Sequence, residues 1–179
     1  MASYLVVVYG APLSGKTSVA WQLARTLPGK TAVVSVDQMI GGAIAQPSGD
    51  VAGELDMVHT QVRLLVANYM KNGYHVVVEG PFYYEREGAL HRYDQDIDQL
   101  VSLMRQMTRR ALLVHLTAGD AVLAARAAAA RRDGEAAARI AALYKQRYGS
   151  RSLSFDTEAA GAGEIADAIR ERLLAEDFT

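Results

Sequence analysis

Residues 6–21, VVVYGAPLSGKTSVAW, run from β-branched and aromatic side chains through a glycine-framed loop directly into a helical pattern. Within them, residues 10–17, GAPLSGKT, satisfy G-x-x-x-x-G-K-[S/T] in full, and the flanking strand and helix are the context that this motif requires. No other feature narrows the fold as far, because a buried strand has to deliver this loop to the start of a helix. Gly10 and Gly15 permit backbone conformations that a Cβ would block, so successive N–H groups can turn inward round an anion. The helix start adds the positive end of its dipole. The Lys16 ammonium has the reach for β- and γ-phosphates, and the Thr17 hydroxyl suits Mg2+. The sequence therefore predicts a nucleoside-triphosphate loop made of Gly10, Ala11, Pro12, Leu13, Ser14, Gly15, Lys16, Thr17 and Ser18.

Further along, apolar runs of strand length alternate with longer amphipathic segments, as in βαβ units with a parallel sheet covered on both faces. Strands are expected at 4–9, 31–36, 74–79, 111–116 and 152–155, and helices at 16–27, 54–72, 94–110, 120–131, 135–148 and 164–175. In the second helix Leu55, Val58, Val62, Leu65, Val66 and Tyr69 fall on one stripe, which reads as core. The alanine-rich stretch 120–148 breaks at Asp133-Gly134 into a helical hairpin bearing Arg126, Arg131, Arg132, Arg139 and Arg147. With 179 residues, half of them hydrophobic, and no repeat or linker, a single domain over 1–179 is expected.

Charge and composition exclude several classes. A net charge of −1 with 19 dispersed basic residues argues against a dedicated binder of long nucleic acid, which must neutralise many phosphates. With no cysteine there is no disulfide framework, thiolate nucleophile or cysteine zinc site, which fits a reducing cytoplasm. The apolar start is far short of the roughly 20 residues that cross a bilayer, so no membrane segment is expected. Oligomeric state is left open.

Two acids stand where chemistry is expected. Asp37 follows TAVVSV, so its carboxylate should emerge at the carboxyl edge of the second strand, beside the phosphate loop. There it could take the proton of an attacking hydroxyl, cap a helix, or hold a magnesium-bound water. Glu79 ends the run HVVVE, where it could hold a magnesium water or hydrogen-bond a second substrate, and a carboxylate at that depth needs a partner. After it, GPFYYEREGALHRYDQD should overhang a pocket: Phe82, Tyr83 and Tyr84 could stack on a planar or apolar molecule, and Arg86 could pair with an anionic one. Arg63, on the long helix facing this region, is either a ligand contact or a surface ion pair.

Guanine-selective and transporter-type NTPases are not indicated, since neither N/T-K-x-D nor L-S-G-G-Q occurs. Instead the phosphate loop near the start, VVSVDQM after strand two, HVVVEGPF after strand three, the arginine-bearing hairpin and the final FDTEAAGAGEIADAI together resemble the small P-loop kinases. The resemblance spans nearly the whole length and is nearest to the zeta-toxin and chloramphenicol-phosphotransferase group. It implies an α/β three-layer P-loop NTPase fold with a five-stranded parallel sheet in the order 2-3-1-4-5 and a helical lid hairpin. It implies ATP and Mg2+ as cofactors, and γ-phosphate transfer to a hydroxyl of a small-molecule acceptor. Lys16, Asp37, Arg126 and Arg132 would be the catalytic set, with Asp37 as base and the lid arginines neutralising charge. Arg126 and Thr157 would touch the nucleotide, Thr17 and Glu79 the metal. The acceptor would meet Asp37, Arg63, Glu79, Phe82, Tyr83, Tyr84 and Arg86. A nucleoside or nucleotide kinase, including one acting on a modified nucleotide in DNA, and a nucleotide-driven regulatory switch are the competing readings.

Overall fold

The aliphatic run near the start forms β1 (Leu5–Gly10), every residue of which is buried, in the middle of a five-stranded parallel sheet. In this computed structural model residues 3–42, 48–86, 89–107, 111–131, 134–148 and 152–175 are described. The main sheet adds β2 (Thr31–Ser35), β3 (His75–Glu79), β6 (Ala111–Thr117) and β7 (Leu153–Asp156), in the order β2-β3-β1-β6-β7. These are the five strands expected from sequence, in the expected spatial order. The numbering differs because β4 (Tyr83–Arg86) and β5 (Ala89–Arg92) pair antiparallel as a separate hairpin, where the sequence suggested only an overhanging loop.

Successive residues of β1 point to opposite faces, and this period of two divides the core. Leu5, Val7 and Tyr9 join Val76 and Val78 under α3 (Val51–Lys71), α4 (Asp94–Met107) and α6 (Gly134–Tyr148). Val6 and Val8 join Val77, Val114 and Leu116 under α1 (Lys16–Thr26) and α7 (Ala162–Leu174). The result is a helix, sheet, helix sandwich. Parallel strands covered on both faces have no need of polar alternation, which is why their sequences read as unbroken aliphatic runs.

Caps set the helix starts. Asp50 accepts a hydrogen bond from the Gly53 N–H at 3.0 Å and opens α3 three residues before its expected start. Directly after β2, α2 (Val36–Gly42) carries Asp37 in its first turn. The hairpin helices α5 (Asp120–Ala129) and α6 meet through a small apolar cluster of Ala118, Leu123 and Ala137, with Ala11 of the phosphate loop against them. No helix among the described residues is long and apolar enough to cross a membrane.

Candidate active site

The loop between β1 and α1 carries two left-handed residues, Leu13 (φ 67°) and Gly15 (φ 88°), the second being the N-cap of α1. A leucine in that region of backbone space is strained, and such strain collects at ligand sites. A Cβ on Gly10, whose φ is 150°, would strike the Leu116 carbonyl oxygen of the neighbouring strand. The loop is thus wedged against β6 with no room for a side chain. Lys16 is buried and donates from Nζ to the Ala11 carbonyl at 2.8 Å, which lays its stem across the loop.

Thr17 and Glu79 meet at the end of β3. The Thr17 hydroxyl donates to Glu79 Oε2 at 3.2 Å, while Glu79 is fully buried and its Oε1 has no hydrogen-bond partner among the described residues. An orphaned carboxylate oxygen beside a hydroxyl suits a hydrated divalent cation, which needs few protein ligands when phosphates supply the others. Among the described residues there is no cluster of three acidic or histidine side chains forming an all-protein metal cage.

Three cavities lie round this loop. The central one, about 560 Å³, is lined by Pro12, Leu13, Gly15, Lys16, Thr17 and Ser18, with Ser35, Asp37, Gln38 and Ala130 opposite. A second, about 350 Å³, lies between the loop, Arg126 and the start of α7, and includes Thr157 and the small residues Ala160, Gly161 and Ala162. A third, about 210 Å³, is walled by Pro12, Leu13, Pro81, Tyr83, Tyr84, Glu85, Ala136, Ala137 and Ile140. Asp37, exposed in the first turn of α2, lines both the central and the third cavity. The phosphate loop, two flanking cavities and an acid between two of them form one continuous edge above the carboxyl ends of the strands.

Residues 5–151 match the AAA domain family. The chain belongs to that AAA domain family. No curated protein sequence matches it. Among solved structures, shikimate kinase from Acinetobacter baumannii, in complex with shikimate, superposes with TM-score 0.68 at 14% identity, over 99% of this chain and 96% of that one. The tunicamycin resistance protein of Deinococcus radiodurans gives TM-score 0.65 at 15% identity, covering 95% of each chain. A sugar kinase from Janibacter sp. gives 0.59 at 16% identity, over 96% of this chain and 92% of that one. These likenesses concern the fold.

The AAA domain gathers Lys16, Thr17, Asp37 and Glu79 as expected, but redistributes other candidates. Arg126 donates to the Leu13 carbonyl and to the Thr157 hydroxyl, both at 3.1 Å, and to the Thr157 carbonyl at 3.3 Å. It therefore lines the cavity at α7 and not the central one. Arg132 lies outside the described residues, as does the side chain of Arg86, while Arg131 is exposed at the turn of the hairpin. Phe82 does not face a cavity: it is fully buried in the core, and its N–H donates to the Tyr144 hydroxyl at 2.7 Å. Arg63 lines none of these three cavities; it is bonded to Asp96 at 2.5 Å and to Thr60 at 3.0 Å, so the ion-pair alternative holds.

Asp96 also meets His59 Nδ1 at 3.0 Å, and His59 Nε2 lies 3.0 Å from the Tyr84 hydroxyl, which donates to the Pro81 carbonyl. His59 stacks on Tyr93 with ring centroids 4.2 Å apart. Burial foremost, and then the Asp37 carboxylate, hold the Tyr84 phenol well above its ordinary pKa, so it stays neutral. Sequence reasoning missed this support, and also missed Glu85 and the α6 residues Ala136, Ala137 and Ile140 of the third cavity. The spacing of the last three along one helical face was the available signal, hidden by the surrounding alanines.

Proposed function

We propose that this AAA domain is an ATP- and Mg2+-dependent kinase that transfers the γ-phosphate to a hydroxyl of a small molecule, nearest in organisation to the zeta-toxin and chloramphenicol-phosphotransferase group. The observation that carries the reading is Asp37 on the wall common to the central and third cavities. A carboxylate at that junction meets a hydroxyl entering from one side and a phosphate held on the other.

In this reading the loop backbone and Lys16 hold the phosphates. Thr17 and the orphaned oxygen of Glu79 would hold Mg2+, which when bound neutralises charge on the phosphates. Asp37 orients the acceptor hydroxyl and accepts its proton as the acceptor oxygen bonds to the γ-phosphorus; the bond from that phosphorus to the β-bridging oxygen breaks and ADP leaves. The cavity beside Arg126 and Thr157 takes the base and ribose. Small residues there leave backbone groups open to a planar ring.

The test is phosphotransfer itself: protein, ATP and Mg2+ with hydroxyl acceptors spanning nucleosides, sugars, aminoglycosides and phenicols, read by mass spectrometry as a gain of one phosphate. Lys16→Ala is the blank. Asp37→Asn should lower transfer by about 100-fold or more with nucleotide still bound; unchanged turnover removes Asp37 from the mechanism, and nucleotide-dependent association with a protein partner without any product favours the switch.

A further inference from the structure

We propose that the third cavity selects an uncharged or cationic, hydroxyl-rich acceptor of the polyol or amino-alcohol class and refuses carboxylates and phosphate monoesters. This rests on the kinase reading of the same site. The donor and acceptor inventory of the walls carries it. Among the described residues, the charged side chains lining the cavity are Asp37 and Glu85, both carboxylates. An ionised carboxylate accepts hydrogen bonds and donates none. The Tyr84 hydroxyl gives its one proton to the Pro81 carbonyl, and its oxygen faces His59. Pro12, Leu13, Ala136, Ala137 and Ile140 offer only carbon from their side chains. Apart from the Tyr83 phenol, the described side chains of these walls supply no donor to the cavity, so the hydrogen atoms for recognition must come chiefly from the ligand, as hydroxyls or ammonium groups.

The electrostatics agree in sign. Arg139, on α6, closes a two-pronged pair on Glu85, Nη2 to Oε1 at 2.8 Å and Nε to Oε2 at 3.2 Å. The pair offsets the Glu85 charge and joins α6 to β4 at the cavity wall. Among the described lining residues Asp37 is left as the net charge. A neutral polyol meets it as a donor, an ammonium meets it as a counter-ion, and a second carboxylate meets it as a like charge in a small partly desolvated space. The volume, about 210 Å³, is below the roughly 300–1,000 Å³ usual for drug-sized ligands, and fits one sugar-sized ring with its C–H face on Ile140 and Tyr83.

The experiment uses three matched sets that differ only in one group: glucose, 6-amino-6-deoxyglucose and glucuronate; a cyclohexanediol bearing CH2OH, CH2NH2 or COOH; and a phenylpropanediol bearing the same three. Binding is read first by saturation-transfer NMR without nucleotide, and transfer afterwards with ATP and Mg2+. In at least one set the alcohol and amine should bind about tenfold or more tighter than the carboxylate, and no set should reverse that order. Glu85→Arg should bring the carboxylate member up by a similar factor. Arg139→Met, which leaves the Glu85 charge uncompensated, should shift preference toward the amine about fivefold and supplies the answer if the arginine variant does not fold. Equal or tighter carboxylate binding by the unaltered protein, failure of every alcohol and amine to bind, or selectivity unmoved in folded charge variants overturns the inference. Correct selectivity without phosphate transfer overturns the kinase reading alone, and efficient transfer to the carboxylates overturns the inference alone.

Discussion

At Gly10 the loop and the sheet compete for the same space, and the glycine resolves it by having no side chain. A Cβ there would strike the Leu116 carbonyl oxygen and stand 2.9 Å from Ser14 Oγ, on a backbone with φ 150°. Gly73, by contrast, has φ 76° with nothing within 4 Å of a Cβ. Both substitutions by alanine meet conformational strain, of about 1 kcal/mol for Gly73, but Gly10→Ala must also displace backbone. It should cost at least about 2 kcal/mol more in urea unfolding and abolish nucleotide binding, whereas Gly73→Ala binds normally. Glu79 offers a cleaner test of chemistry. Gln keeps the shape and can still accept from Thr17, but removes the charge at the orphaned oxygen. Turnover in Glu79→Gln should fall about 100-fold with its Mg2+ dependence flattened, measured as rate against metal concentration. A variant with normal metal dependence would leave Glu79 a structural acid.

Among the elements, β1, β3 and β6 announce themselves because strands buried on both faces select continuous aliphatic sequence. The Leu55, Val58, Val62 and Val66 stripe of α3 is equally plain, being set by helical geometry alone. The β4–β5 hairpin escapes such reading: each strand has four residues, and the pair stands apart from the main sheet, so packing against distant side chains decides it. Residue type also does not give direction. Phe82 and Tyr84 look equivalent in sequence, yet one fills the core and the other lines a cavity, and Arg63 finds its partner 33 residues away. That partner, Asp96, links α4 to α3 through both Arg63 and His59, and His59 meets Tyr84 on the wall of the third cavity. Asp96→Ala leaves His59 buried without its carboxylate, while Arg63 can still reach water. The expected cost is about 2–4 kcal/mol in denaturant unfolding, with a raised acceptor KM and unchanged nucleotide affinity. If acceptor KM does not move, the network supports the helices without tuning the cavity.

For the molecule as a whole, the third cavity and the core are joined through α6, which lines that cavity at Ala136, Ala137 and Ile140 and lower down sets Tyr144 against the sheet. There His115 of β6 stacks on Tyr9, with centroids 5.0 Å apart and planes 7° off parallel, and lies 5.9 Å from Tyr144. Burial above all, and then the Lys145 ammonium, lower its pKa from 6.5 to about 4. The folded protein therefore keeps His115 neutral through a range in which the unfolded chain protonates it. Above pH 6.5 both states hold the neutral ring and no penalty arises. As pH falls from 6.5 toward 4 the unfolded state takes up the extra proton, and stability declines, by about 3 kcal/mol once the lower limit is passed. Carboxylates add their own acid dependence, so the informative quantity is a difference between proteins. In urea unfolding at a series of pH values, His115→Gln begins less stable at neutral pH, because it loses the stacked ring, but its curve should converge on that of the unaltered protein by about 3 kcal/mol between pH 6.5 and 4. Two parallel curves across that window would mean that the folded protein accommodates a charged His115, and that the junction of β1, β6 and α6 is wetter than its packing indicates.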